Sequence, residues 1–156
     1  MTATHSSTLL PADSPLQCTC GRLRKLTRRM TSFYEQHMRV TGLKLSQYSV
    51  LSNLSNQAQT ILQLADRLDM DRTTLTRSLK PLVAQGWVVE TAGGDARQRL
   101  IKLTSEGKIF RRKAQARWRD AQLALENQLG RDVVALLNAQ MEQALSQLKP
   151  ALLEDN

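Results

Sequence analysis

The chain has little cysteine: Cys18 and Cys20 are the only two in 156 residues. That is too few for a disulfide framework, so a reducing, cytoplasmic location is expected. Long apolar runs are missing as well. None approaches the roughly 20 residues needed to cross a bilayer, so no membrane-spanning helix and no membrane partner are expected. The opening MTATHSSTLLPA has no basic segment leading into an apolar core, and residues 1–15 are read as a flexible arm rather than a secretory signal. Histidine is also scarce. His5 and His37 lie far apart, and no Ser/His/Asp spacing, phosphate-binding glycine loop or paired-carboxylate cluster accompanies them. The expectation is therefore not an enzyme, with no cofactor and no bound metal.

What the chain has is positive charge, unevenly placed. The formal net is +8. Residues 1–119 hold 20 Lys and Arg against 8 Asp and Glu, whereas residues 120–156 hold 2 against 6. A basic body with an acidic end implies a polyanion partner for the body. Nucleic acid leads, because no basic segment also carries the Trp/Phe/Leu face that would seat it on an anionic membrane. Apolar residues make up 41% of the chain, enough for one domain, or a compact module with long helical extensions, to bury a core.

Hydrophobic spacing organises the rest. From Cys20 to about Val40, Leu23, Leu26, Met30, Phe33, Tyr34, His37 and Met38 recur at three- and four-residue steps, one face of a helix. Thr41-Gly42 breaks that pattern, and Ser46 starts a second helix with Tyr48, Leu51 and Leu54 inward. After the polar break 56–59 comes a short helix at about 62–68, the turn Asp69-Met70-Asp71, and a further helix from Arg72 to Gln85. Short helix, tight turn and second helix are the parts of a helix-turn-helix. Gly86 stops the second helix, and two β-like runs, 87–91 and 99–103, flank a turn at 92–98. A hairpin in that place makes the unit a winged helix. Thr104 is a plausible N-cap for a helix running to about Gln128. Beyond the break at Gly130, a last apolar stripe runs from Val133 to Leu152. The outer helices expose more apolar surface than the central domain covers, which predicts a homodimer.

The expected fold class is thus mainly α with a small β-hairpin: a winged helix-turn-helix domain over 45–104, flanked by dimerisation helices at 16–44 and 105–156. The span LQLADRLDMDRTTLTRSLKPLVAQGWVVETAGGDARQRLIKLTSEGK resembles the MarR family of bacterial transcription regulators. The resemblance rests on Leu64-Ala65 and Leu68, Thr76-Arg77, Leu82 with Gly86, Asp95-x-Arg97, and Leu103-Thr104 followed by Gly107. Two positions depart from the family pattern. Val83 stands where a glutamate is frequent, and the pair Glu90-Thr91 replaces a basic residue common just before the wing.

A helix in the major groove offers base edges its first turns. Here those are Arg72, Thr73, Thr74, Thr76, Arg77 and Lys80. Base contact is expected mainly from Thr73, Thr74, Thr76 and Arg77, and a phosphate contact from Lys80. The resemblance implies that Asp95 braces Arg97 for the minor groove, with Arg99 sharing a phosphate contact. A symmetric dimer then requires double-stranded DNA with a pseudo-palindromic operator, its half-sites about one helical turn apart.

The resemblance also implies an effector, often a small aromatic or phenolic carboxylate, between the dimer helices and the winged domain. Tyr34, His37, Tyr48 and Arg111 are the candidates, each with ordinary packing as the competing reading. Cys18 and Cys20 do not make a zinc site, since ligands at i and i+2 of a helix point about 200° apart. Cys20 is similar in position to the peroxide-sensing cysteine of one family branch, and Tyr34 matches a tyrosine that bonds it. That branch's second tyrosine lands on Leu45, and no later cysteine could resolve a sulfenic acid. The thiols are therefore either redox sensors or small groups at the dimer interface. The expected function is a sequence-specific regulator, a repressor released by ligand or oxidation. The alternatives are a nonspecific architectural DNA-binding protein and a winged module that binds protein.

Overall fold

The computed structural model describes residues 18–94 and 99–148. The expected arm at 1–15, Asp95 and Arg97 of the wing, and Leu152 of the last stripe lie outside the described residues. The chain divides into two compact units between Phe33 and Tyr34.

Among the described residues six helices and a small sheet follow in the order α1 (Thr19–Met38), α2 (Leu45–Asn53), β1 (Gln59–Thr60), α3 (Ile61–Leu68), α4 (Arg72–Ala84), β2 (Val88–Ala92), β3 (Arg99–Leu103), α5 (Ser105–Leu129) and α6 (Arg131–Gln147). A short 3-10 turn, Arg39–Thr41, follows α1 and ends at Gly42, whose φ of 71° is the left-handed region a glycine enters freely. This is the winged helix-turn-helix fold expected from the spacing, mainly helical with a small antiparallel sheet. The sheet has one strand more than the hairpin. β1 joins it through Gln59↔Ile101 and Thr60↔Leu100, giving the order β1-β3-β2.

The helix ends are fixed locally. Thr60 caps α3, its hydroxyl accepting from Gln63 N at 3.1 Å while Gln63 Oε1 accepts from Thr60 N at 2.8 Å. This reciprocal box satisfies two otherwise unpaired amides. Asp69 closes α3 in the left-handed region at φ 49°, and its amide reaches back to Ala65 and Asp66 carbonyls. That reversal is the turn of the helix-turn-helix.

The core of the second unit lies between α2, α3, α4 and the sheet. Met38, Val50, Leu51, Leu64, Leu75 and Leu82 are completely buried there. Thr104 ties the sheet to α5. Its hydroxyl donates to Gly86 O at 2.7 Å and accepts from Gly107 N at 2.9 Å. The backbone of α5 approaches so closely that a Cβ on Gly107 would overlap the Trp87 carbonyl.

Candidate nucleic-acid interface

Helix α4 is held from both sides of its sequence pattern. Asp71 caps it, Oδ1 accepting from Thr74 N at 2.8 Å. Hydrogen bonds from Thr74 hold the Asp71 carboxyl below the usual aspartate range. Leu75, Leu79 and Leu82 are buried against the core. At 100° per residue, Thr73, Arg77 and Lys80 then fall on the opposite, outward face, and all three are exposed. Arg72 and Thr74 are exposed on the two flanks of the first turn. Thr76 is different: it is half-buried, and its hydroxyl donates to Arg72 O at 2.7 Å. Its proton is committed to the helix backbone, a back-bonding that serine and threonine make within helices.

Gly86, at φ 72°, turns the chain out of α4, and Trp87 N bonds Leu82 O at 3.0 Å. β2 and β3 then pair from Val88↔Leu103 to Ala92↔Arg99. The ribbon starts in the core and ends in solvent, since Val88 and Leu103 are buried while Ala92 and Arg99 are exposed. Arg99 donates from Nη1 to Glu90 Oε2 at 3.2 Å, a partner that charge counting did not anticipate.

The four expected effector residues fall in different settings. Tyr34 and Tyr48 are buried and both stack on Trp118, with ring centroids 6.5 and 6.3 Å away. Burial raises the pKa of both phenols, with Glu126 adding to the effect at Tyr34 and Arg119 opposing it at Tyr48. The Tyr34 hydroxyl donates to Gln122 Oε1, and Gln122 Nε2 donates to Glu126 Oε1 at 2.9 Å. Arg111 donates to Leu54 O at 2.7 Å and Asn56 Oδ1 at 3.1 Å, so it clamps the loop after α2. His37 is half-buried. Two clefts of about 360 and 340 Å³ are lined instead by residues such as Gln47, Pro81 and Trp87, and by Val40, Phe110, Lys113 and Arg117. Trp118 was missed as the centre of this group, although its steps of four and three residues from buried Ala114 and Ala121 place it near the inner side of α5.

Both cysteines are exposed. The sulfur at the helix N-terminus belongs to Cys18, whose Sγ accepts from Gly21 N at 3.2 Å, whereas Cys20 already lies inside the first turn of α1. Among the described residues no cluster of three or more His, Cys, Asp or Glu could hold a metal. No helix among them is long and apolar enough to cross a membrane.

An exposed cationic helix face carried by a helix-turn-helix and followed by a β-ribbon defines a winged-helix DNA-binding protein. The comparisons with known proteins carry this further. A model of the MarR family matches residues 41–98. The M. tuberculosis transcriptional regulator MosR, solved in complex with DNA, is 32% identical, with 83% of this chain and 99% of that one covered at a TM-score of 0.66. Wild-type MarR from E. coli is 26% identical over 82% of this chain and 98% of that one, at a TM-score of 0.66. CouR from Rhodococcus jostii RHA1, bound to p-coumaroyl-CoA, shares the fold at a TM-score of 0.69 and 21% identity, covering 85% of this chain and 95% of that one. No curated protein matches. The chain belongs to the MarR family of DNA-binding transcriptional regulators.

Proposed function

We propose that this chain is a cytoplasmic, homodimeric repressor that binds a pseudo-palindromic operator in double-stranded DNA. The observation that carries the reading is the outward stripe of Thr73, Arg77 and Lys80 on a helix capped by Asp71 and seated by three buried leucines. Arg77 and Thr73 read bases, assisted by Arg72 and Thr74 on the flanks. Lys80 holds a phosphate, and Thr76 offers its methyl rather than its hydroxyl proton. In the wing, Asp95, Arg97 and Arg99 are assigned to the DNA contact, Arg97 to the minor groove and Arg99 to a phosphate. Residues 45–104 form the DNA-binding domain on this reading.

Residues 16–44 and 105–156 supply the dimer contacts. Support comes from α5 and α6, where Leu123, Val133, Leu136 and Leu145 each expose more than half their surface. A second copy packed on these helices would take such side chains out of water. An effector of aromatic or acyl-aromatic type, acting near Tyr34, His37, Tyr48 and Arg111, or oxidation at Cys18 or Cys20, releases the operator. The structure of CouR with p-coumaroyl-CoA supports the ligand route.

A competition assay at fixed salt tests the function. Unlabelled duplex from the protein's own promoter region should displace a labelled copy at least tenfold better than random duplex, as specific binding exceeds non-specific binding by about 10³ or more. Equal displacement would leave only an architectural DNA-binding role.

A further inference from the structure

Glu90 lies midway along β2 and Arg99 opens β3, yet their side chains meet at 3.2 Å. The register explains why. Glu90 pairs with Ile101 and Ala92 with Arg99, so Glu90 and Arg99 are diagonal neighbours on one face of the ribbon. Nearer the root that same face is buried, through Val88, Ile101 and Leu103. Farther out it leaves the core and carries the ion pair. The Arg99 side chain keeps 76% of its exposure and Glu90 keeps 35%, so a phosphate can reach the guanidinium. Glu90 is the one carboxylate among the described residues of the two strands, whose remaining charge is Lys102. Lys102 pairs with Val89 on the other face.

We propose that Glu90 sets the DNA affinity of this chain by holding Arg99 away from the phosphate backbone. The inference rests on the DNA-binding reading above and adds a restraint to it. To contact DNA, Arg99 must exchange a carboxylate oxygen for a phosphate oxygen, and the uncovered carboxylate then faces a polyanion. An exposed pair is weak enough to open, so the restraint attenuates binding without blocking it. Because phosphate attraction supplies nearly all non-specific binding, the same carboxylate limits capture by random sequence.

The test uses the full chain, a short random-sequence duplex and a salt series, with wild type, Glu90→Gln, Arg99→Gln and the double variant. Glu90→Gln should bind about 3- to 6-fold tighter at about 0.15 M salt, with the slope of log K against log salt steeper by about 0.9, the value of one further phosphate contact. In the Arg99→Gln background the same change should alter affinity by less than about 1.5-fold, since distinct contacts add but coupled ones do not. Unchanged or weaker binding by Glu90→Gln overturns the proposal, and so does an equal gain in both backgrounds, which would make Glu90 a general surface charge. Wild type failing to bind duplex at any salt would instead overturn the DNA-binding reading itself. Melting curves that superimpose for all four proteins exclude a folding effect.

Discussion

Gln59 is the least comfortable residue in the core, and replacing it should stabilise the protein. It is 6% exposed, and neither Oε1 nor Nε2 has a hydrogen-bond partner among the described residues. Thr60, the next residue, is engaged elsewhere, closing a capping box with Gln63. An unpaired buried amide costs about 1–3 kcal/mol on mutational scales. Methionine has nearly the same length and branching, so Gln59→Met removes the amide without leaving a void. The β1 pairing with Ile101 is made by backbone and survives the change. The expected gain is about 1–3 kcal/mol, which at about 2–4 °C per kcal/mol for a chain of this size raises Tm by about 2–12 °C. Urea titration at fixed protein concentration should show a higher midpoint with an unchanged slope. A lower midpoint would refute the reasoning, because it would mean that the amide is satisfied in the folded protein.

Three further outcomes are expected. Gly107→Ala forces a Cβ against the Trp87 carbonyl; since backbone cannot swing aside, thermal melting should register a loss of about 1–3 kcal/mol or more, and a neutral result would mean that the β-ribbon and α5 are not packed as described. The Asp71 carboxyl titrates below its unfolded value of about 3.9, so its stabilisation is complete above about pH 4 and is lost as pH falls through the lower folded value. Asp71→Asn keeps a capping acceptor and should flatten that acid limb in a stability titration, which an unaltered limb would contradict. Arg77→Ala should weaken binding to the preferred operator by about 1–3 kcal/mol and relax base preference at one position. A uniform loss on all sequences would reassign Arg77 to a phosphate.

Much of the fold was legible before any coordinates. The helix order, the turn at Asp69–Asp71, the Thr104 cap and the stop at Gly86 all rest on signals carried within one element: a 3.6-residue apolar period, a capping oxygen three residues from its amide, a glycine free to enter the left-handed region. The outward residues of α4 followed in the same way, because burying Leu75, Leu79 and Leu82 leaves only one side for Thr73, Arg77 and Lys80.

What the sequence concealed were partnerships between distant segments. Gln59–Thr60 is too short and polar to show strand alternation, and becomes β1 only because the edge of β3 is there to pair with it. Arg111 reads as an effector candidate or an ordinary packing residue, and no spacing in the sequence signals its hydrogen bond to Leu54 O, 57 residues away. Glu90 reads as a departure from the family pattern until the register sets it beside Arg99. The sequence alone determined which elements form and which faces they bury, since those depend on neighbours within a turn or two. Only the tertiary structure decided which polar groups meet across elements, and so which cations are held by a partner, because hydrogen bonds are settled at about 3 Å and no local pattern encodes that distance.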